Sequence, residues 1–209
     1  MVTADDTGRI NQKKRTRMAI VDASREIIRS GASVTMPEVA RLALVSEATA
    51  YRYFPDLVSL LNEALAGVWP SPADALAPVA GSRDPVERIA FACEFLLRGV
   101  FAYQGGVRAS ISATIVRPES ARRRPGLRFG LIDQALAPLE DTLGAADPER
   151  LTRLKQDLAA VVSAEAFFSL TDLAGLSPDD AIASLVRTAT AITKAATALN
   201  SSSPPRPGR

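Results

Sequence analysis

The chain has 209 residues, with 25 basic against 23 acidic side chains and a formal net charge of +2. Such a length allows one or two domains, and so even a balance makes no case for a nucleic-acid partner unless the basic residues gather on one face. The single cysteine, Cys93, excludes an internal disulfide, and the absence of histidine removes the commonest general base and metal ligand, which argues against a zinc site or a Ser-His-Asp hydrolase.

Leu, Ala, Val and Ile dominate, runs of period two are scarce, and the chain reads as all-α. Residues 1–14 are polar and lack the apolar stretch of a secretory signal; they are expected to form a disordered basic arm. No uncharged apolar run approaches the roughly 20 residues a membrane span needs, and one cysteine suits a reducing compartment, so a cytoplasmic protein is expected. Lys13, Lys14, Arg15 and Arg17 gather just before the first helix. They read as a solvated terminus or as an arm that neutralises phosphates; their place beside the helices of residues 17–54 favours the second.

From Arg17 to Ser30, Ile20, Ala23, Ile27 and Ile28 recur on one helical face, and Gly31 supplies a stop. The stretch TMPEVARLALVSEATAYRYF, from Thr35 to Phe54, then reads as two short helices about a tight turn. Thr35 is the first N-cap, Pro37 fits an early helical position, and Glu38 completes the capping-box spacing. Ser46 caps the second helix, and Pro55 biases Phe54 out of the α region and stops it. Helices this short need a third to pack against. Three helices, the last two in helix-turn-helix relation, make a module whose second helix enters a DNA major groove.

These residues resemble the N-terminal DNA-binding domain of TetR/AcrR-type transcriptional regulators. The resemblance runs from Arg15 to about Leu65 and rests on Ile20, Ala23, Gly31, Thr35, Val39-Ala40, Tyr51-Arg52-Tyr53-Phe54 and Leu60-Leu61. Two positions depart from the family. Leu44 stands where its turn usually has glycine, and Leu57 where a lysine usually touches phosphate. The turn must therefore be made without a positive φ, or with strain.

Side chains at the start of the second helix are expected to face base edges. Ser46, Glu47, Ala48 and Thr49 hold those places: Glu47 could accept from a cytosine amino group, Ala48 allows close approach, and Thr49 can donate, accept or touch a thymine methyl. Tyr51 and Tyr53 can donate to phosphate, Arg52 can pair with phosphate or base, and Thr35 is placed with them at the first helix start. Each has a plainer role: Tyr51 in the core, Glu47 beside a helix N-terminus, Arg52 in solvent.

A helix from about residue 56 to Trp69 comes next, closing a DNA-binding unit over 15–69. A proline-rich boundary loop covers 70–84. The remainder, 84–199, reads as a helical body. Asp84-Pro85 opens a helix to about Tyr103, Gly105-Gly106 breaks it, and a shorter helix runs from about Val107 to Val116. Arg117–Arg128 is a basic loop read as solvated. Another helix spans about Leu127–Leu143, a long one runs from Asp147-Pro148 to about Leu173, and a last one from Ser177-Pro178 to about Leu199. The tail, 200–209, is expected to be disordered.

The last two helices carry many alanines, which let helices approach closely. The resemblance implies that these helices (about 147–173 and 177–199) form a homodimer. Trp69, Phe91, Phe95, Tyr103, Phe129 and Phe168 could enclose an apolar ligand pocket or simply fill the core. Glu165 lies among apolar neighbours and needs a partner, either an arginine of the body or a cationic ligand. The resemblance implies a homodimeric repressor that binds double-stranded operator DNA and is released by a small molecule. A ligand-independent dimeric regulator stays open, as does a helical enzyme. No catalytic set, cofactor or metal site is found in the sequence, and no membrane partner is expected.

Overall fold

A computed structural model describes residues 4–116 and 126–198, all-helical throughout with no strand among them. The tail from 200 and most of the Arg117–Arg128 loop lie outside the described residues. Among the described residues, no helix is long and apolar enough to cross a membrane. The chain divides into two compact units, one of which takes Met1–Trp69 and Tyr103–Pro125, the other the rest.

The first unit holds α1 (Ala4–Arg29), α2 (Met36–Leu42), α3 (Glu47–Tyr53), α4 (Leu57–Ala64) and α7 (Gln104–Val116). Ile20, Ile28, Val39, Ala40, Ala50, Phe54, Leu60, Leu61 and Ala64 form its core, each at most 2 % exposed. Two boundaries differ from the sequence reading. Helix α1 begins at Ala4, so residues 4–14 are a helical extension and not a disordered arm. The run Gln12-Lys13-Lys14-Arg15 is made of good helix formers, and no proline stands before it to stop the helix from extending back toward Ala4. Helix α4 ends at Ala64, short of Trp69.

Helix α7 belongs to this unit, packing on α1 and α4. The expected break falls at Tyr103, between α6 and α7, and the two glycines lie just past it, inside the first turn of α7. A Cβ on Gly105 would stand 2.5 Å from the carbonyl oxygen of Ala32, and one on Gly106 3.1 Å from the Ile28 side chain. The pair is there so that α7 can approach the end of α1.

The second unit holds α5 (Pro72–Ala75), α6 (Pro85–Ala102), α8 (Leu127–Leu136), α9 (Pro148–Val161), α10 (Ala164–Phe168) and α11 (Pro178–Ala198). Helix α6 packs on α11 and α8, and α9 on α8 and α11. Ile89, Leu97, Leu131, Leu136, Leu158, Phe167, Ala181 and Ala189 lie in its core. The expected boundary loop thus contains α5, capped by Ser71, and a 3-10 turn over Ala77–Val79.

The two long helices expected here are interrupted, each for a local reason. Pro138 has no N–H to give to Gln134, so α8 gives way to a 3-10 turn and then a wide turn over Glu140–Gly144. Helix α9 stops where Val161-Val162 meets Ser163. Ser163 is extended and caps α10, its hydroxyl accepting from Ala166 N at 3.1 Å.

Arg88 closes the gap that Pro138 opens. It is 4 % exposed, and its guanidinium donates to five carbonyls: Gln134 at 2.6 Å, Ala135 at 3.1 Å, Val79 at 2.9 Å, Ser82 at 3.3 Å and Ala80 at 3.4 Å. These carbonyls lie at or just past the ends of α8 and of the 3-10 turn, where helix dipoles place negative charge; Val79 O is shared with Ser82 N at 3.1 Å. Replacing Arg88 with methionine keeps the bulk but removes all five of these bonds. It should lower stability by about 3 kcal/mol or more in a urea titration; a loss under about 1 kcal/mol would contradict this role.

Cys93, on the buried face of α6, has its thiol pushed up to about 12 by burial first and by the Glu94 carboxylate second. The folded chain therefore keeps a proton that the unfolded chain loses near 9.0, so the folded state binds more protons in that window. Its stabilisation is full below the unfolded value and falls as pH rises from there toward about 12. Urea titrations across this range should show stability declining, and Cys93→Ala should flatten the decline; an equal slope in both proteins would refute it.

Candidate nucleic-acid interface

The two helices of the motif are set by their caps. Thr35 is extended and its hydroxyl accepts from Glu38 N at 3.3 Å, while the Glu38 carboxylate pairs with Arg41 at 3.1 Å. Ser46 accepts from Thr49 N at 3.2 Å and donates to the Thr49 hydroxyl at 3.0 Å. Phe54 leaves the α region at φ −133°, ψ 103°, as Pro55 requires, and Asp56 caps α4 through Ser59 N at 2.7 Å.

The turn between the helices is a Schellman motif. Val45 N donates to Ala40 O at 3.0 Å and Leu44 N to Arg41 O at 3.2 Å, while Val45 packs on the core. Leu44 occupies the left-handed position at φ +56° and is 92 % exposed. Leucine is disfavoured there by about 1–2 kcal/mol, and its side chain recovers no burial. The resemblance left two ways to make this turn, and the chain takes the strained one.

Helix α3 turns Ala50 wholly into the core and leaves Glu47, Ala48, Tyr51 and Arg52 exposed, with Thr49 and Tyr53 half-buried. Arg52 lies over the Tyr53 ring, 5.6 Å from its centroid. Lys13, Lys14 and Arg15 are exposed on α1. Leu57, half-buried, packs against the core.

Arg17, which the sequence reading groups with the phosphate contacts, has its guanidinium engaged within the unit. It forms a two-pronged ion pair with Glu63 of α4, donates to Tyr53 O at the end of α3 at 3.2 Å, and covers the Phe54 ring at 4.4 Å. Arg25 braces the same helix two turns further along α1, donating to Ala64 O at 2.9 Å. Sequence reasoning missed these braces; the signal was two arginines eight residues apart beside the apolar stripe of α1.

The proposed pocket residues fall in both units. Trp69 and Tyr103 belong to the first unit and meet edge-on at 5.9 Å. In the second, Phe91 and Phe95 are half-buried, Phe168 is buried with its ring edge-on to Phe167 at 5.5 Å, and Phe129 is 52 % exposed. Glu165 has the arginine partner expected of it: Arg128 donates to it at 3.2 Å and also lies 4.9 Å from the Phe129 ring centroid. The carboxylate is only half-buried, not enclosed.

Comparison with protein-family models, with curated proteins and with solved structures finds no match for this chain.

Leu44→Gly removes the strained side chain and adds freedom to the unfolded chain. The first effect is the larger, so unfolding free energy should rise by about 0.5–1 kcal/mol in a urea titration. A destabilised variant would mean that the leucine packs against something after all.

Proposed function

We propose that this chain is a homodimeric, DNA-binding transcriptional regulator of TetR/AcrR type, acting as a repressor that a small molecule releases from its operator. The observation that carries the reading is the division of α3: Ala50 is fully buried, while Glu47, Ala48, Tyr51 and Arg52 face solvent. A seven-residue helix with one face in a core and the other bare has the shape of a groove reader. Exposed Lys13, Lys14 and Arg15 supply charge for phosphate. Thr49 keeps a hydroxyl hydrogen to donate, because its oxygen accepts from Ser46.

Dimerisation would use α9 and α11. The alanines of α11 divide: Ala181 and Ala189 are buried within the chain, while Ala183, Ala191 and Ala195 are exposed at spacings of eight and four residues. That bare face suits a close helix partner. A two-fold dimer presents two α3 helices to major grooves one turn, about 34–36 Å, or a multiple apart. A ligand favouring another spacing lowers DNA affinity by at most its differential affinity for the two states. Within the second unit, the exposure of Phe129 and the half-burial of Glu165 favour a second reading, in which that unit serves dimerisation alone.

The experiment is a footprint and a binding titration on the DNA flanking this protein's own gene. Protection over two half-sites is expected. Lys14→Ala should weaken binding to all sequences and lower the salt slope by about 1, whereas Thr49→Ala should relax preference at one position, by about 1 kcal/mol. A parent protein that binds flanking DNA no better than mixed sequence would sink the proposal.

A further inference from the structure

An exposed leucine by itself carries no information. Leu44 is different because two observations meet on it. Among the described residues it is the one non-glycine residue with positive φ, +56°, and its side chain is 92 % exposed. Glycine or asparagine would close the same Schellman turn without the strain. The side chain is thus held at a disfavoured backbone position and gains no burial in its own chain. It stands two residues before the Ser46 cap, at the end of the motif where Ser46, Glu47, Ala48 and Thr49 are proposed to meet base edges.

Resting on that reading, we infer that Leu44 is itself a DNA contact, its isobutyl group lying against the apolar surface of the duplex. Leucine offers neither a charge nor a hydrogen bond, so phosphate and the polar base edges are poor matches. What remains is the thymine C5-methyl group or the edge of a deoxyribose. Either surface exists only in the complex, which is why the free chain leaves the side chain bare. A thymine contact would add sequence preference; a sugar contact would add affinity alone.

The test compares the full-length parent, Leu44→Gly and Leu44→Asn on the footprinted duplex and on the same duplex with deoxyuridine in place of thymidine. Both variants suit the left-handed position, so they should fold at least as stably as the parent. They should nevertheless bind about three- to tenfold more weakly, with an unchanged salt slope because no phosphate contact is lost. Stability and affinity would then move in opposite directions, which a merely structural role for Leu44 cannot produce. If deoxyuridine weakens the parent but not the variants, the partner is the thymine methyl; if it spares all three, the partner is the sugar. Variants that bind as tightly as the parent overturn the inference. So does a change in sedimentation without a change in affinity, which would assign the leucine to a second copy of the chain. A parent that binds no duplex overturns the functional reading, and this contact with it.

Discussion

Six residues, Ala40 to Val45, decide which side of α3 faces out. The hydrogen bonds from Val45 N to Ala40 O and from Leu44 N to Arg41 O close α2 and redirect the chain within a single turn. Val45 then anchors in the core, and Ser46 starts the next helix from an extended backbone. With both ends fixed, the rotation of α3 about its axis is fixed as well: Ala50 goes in, and Glu47, Ala48, Tyr51 and Arg52 come out. A different turn would rotate α3, and each helical position it slipped would carry its side chains about 100° around the axis.

That geometry is held from behind by α1. Arg17 ties Glu63 of α4 to the terminal carbonyl of α3, and Arg25 caps α4 at Ala64. Isolated, partly exposed ion pairs contribute little. Here one guanidinium has an ion pair, a carbonyl and an aromatic face, so its geometry is over-determined. Because the same cation holds both α3 and α4, displacement of α4 would strain the end of α3. On the proposed function, α4 is therefore where a ligand-driven shift would reach the recognition helix.

Legibility in the sequence followed distance along the chain. Caps and stops were readable because they are settled within four residues: Thr35, Ser46, Pro55, Pro148 and Ser177 all stand where local chemistry puts them. The interruption at Ser163 was equally local, and missed, since its apolar surroundings let helical periodicity run straight through a serine cap. The glycines at 105 and 106 were read only as a break, which does fall just before them, because a glycine pair signals a break and a close approach equally well. Only the partner, the Ala32 carbonyl more than 70 positions away, distinguishes them. For the same reason the bracing role of Arg17 went unread: nothing local announces that its carboxylate partner lies 46 residues on.

Arg88 shows how the two scales meet. Pro138 is a local fact, and it leaves Gln134 without its intrahelical donor whatever the rest of the chain does. That carbonyl, on a half-buried residue, still needs a donor, and the side chain that reaches it is only 4 % exposed. The answer comes from another helix, 46 residues away, and the same guanidinium satisfies the carbonyls of a third segment, 79–82. A cation surrounded by carbonyls and lacking a carboxylate would be unfavourable in a core, but these carbonyls end helical turns, so their dipoles add. The proline therefore does more than end α8. It creates the electronegative end that makes a buried arginine tolerable, and the arginine in turn fixes α6, α8 and the 3-10 turn against one another.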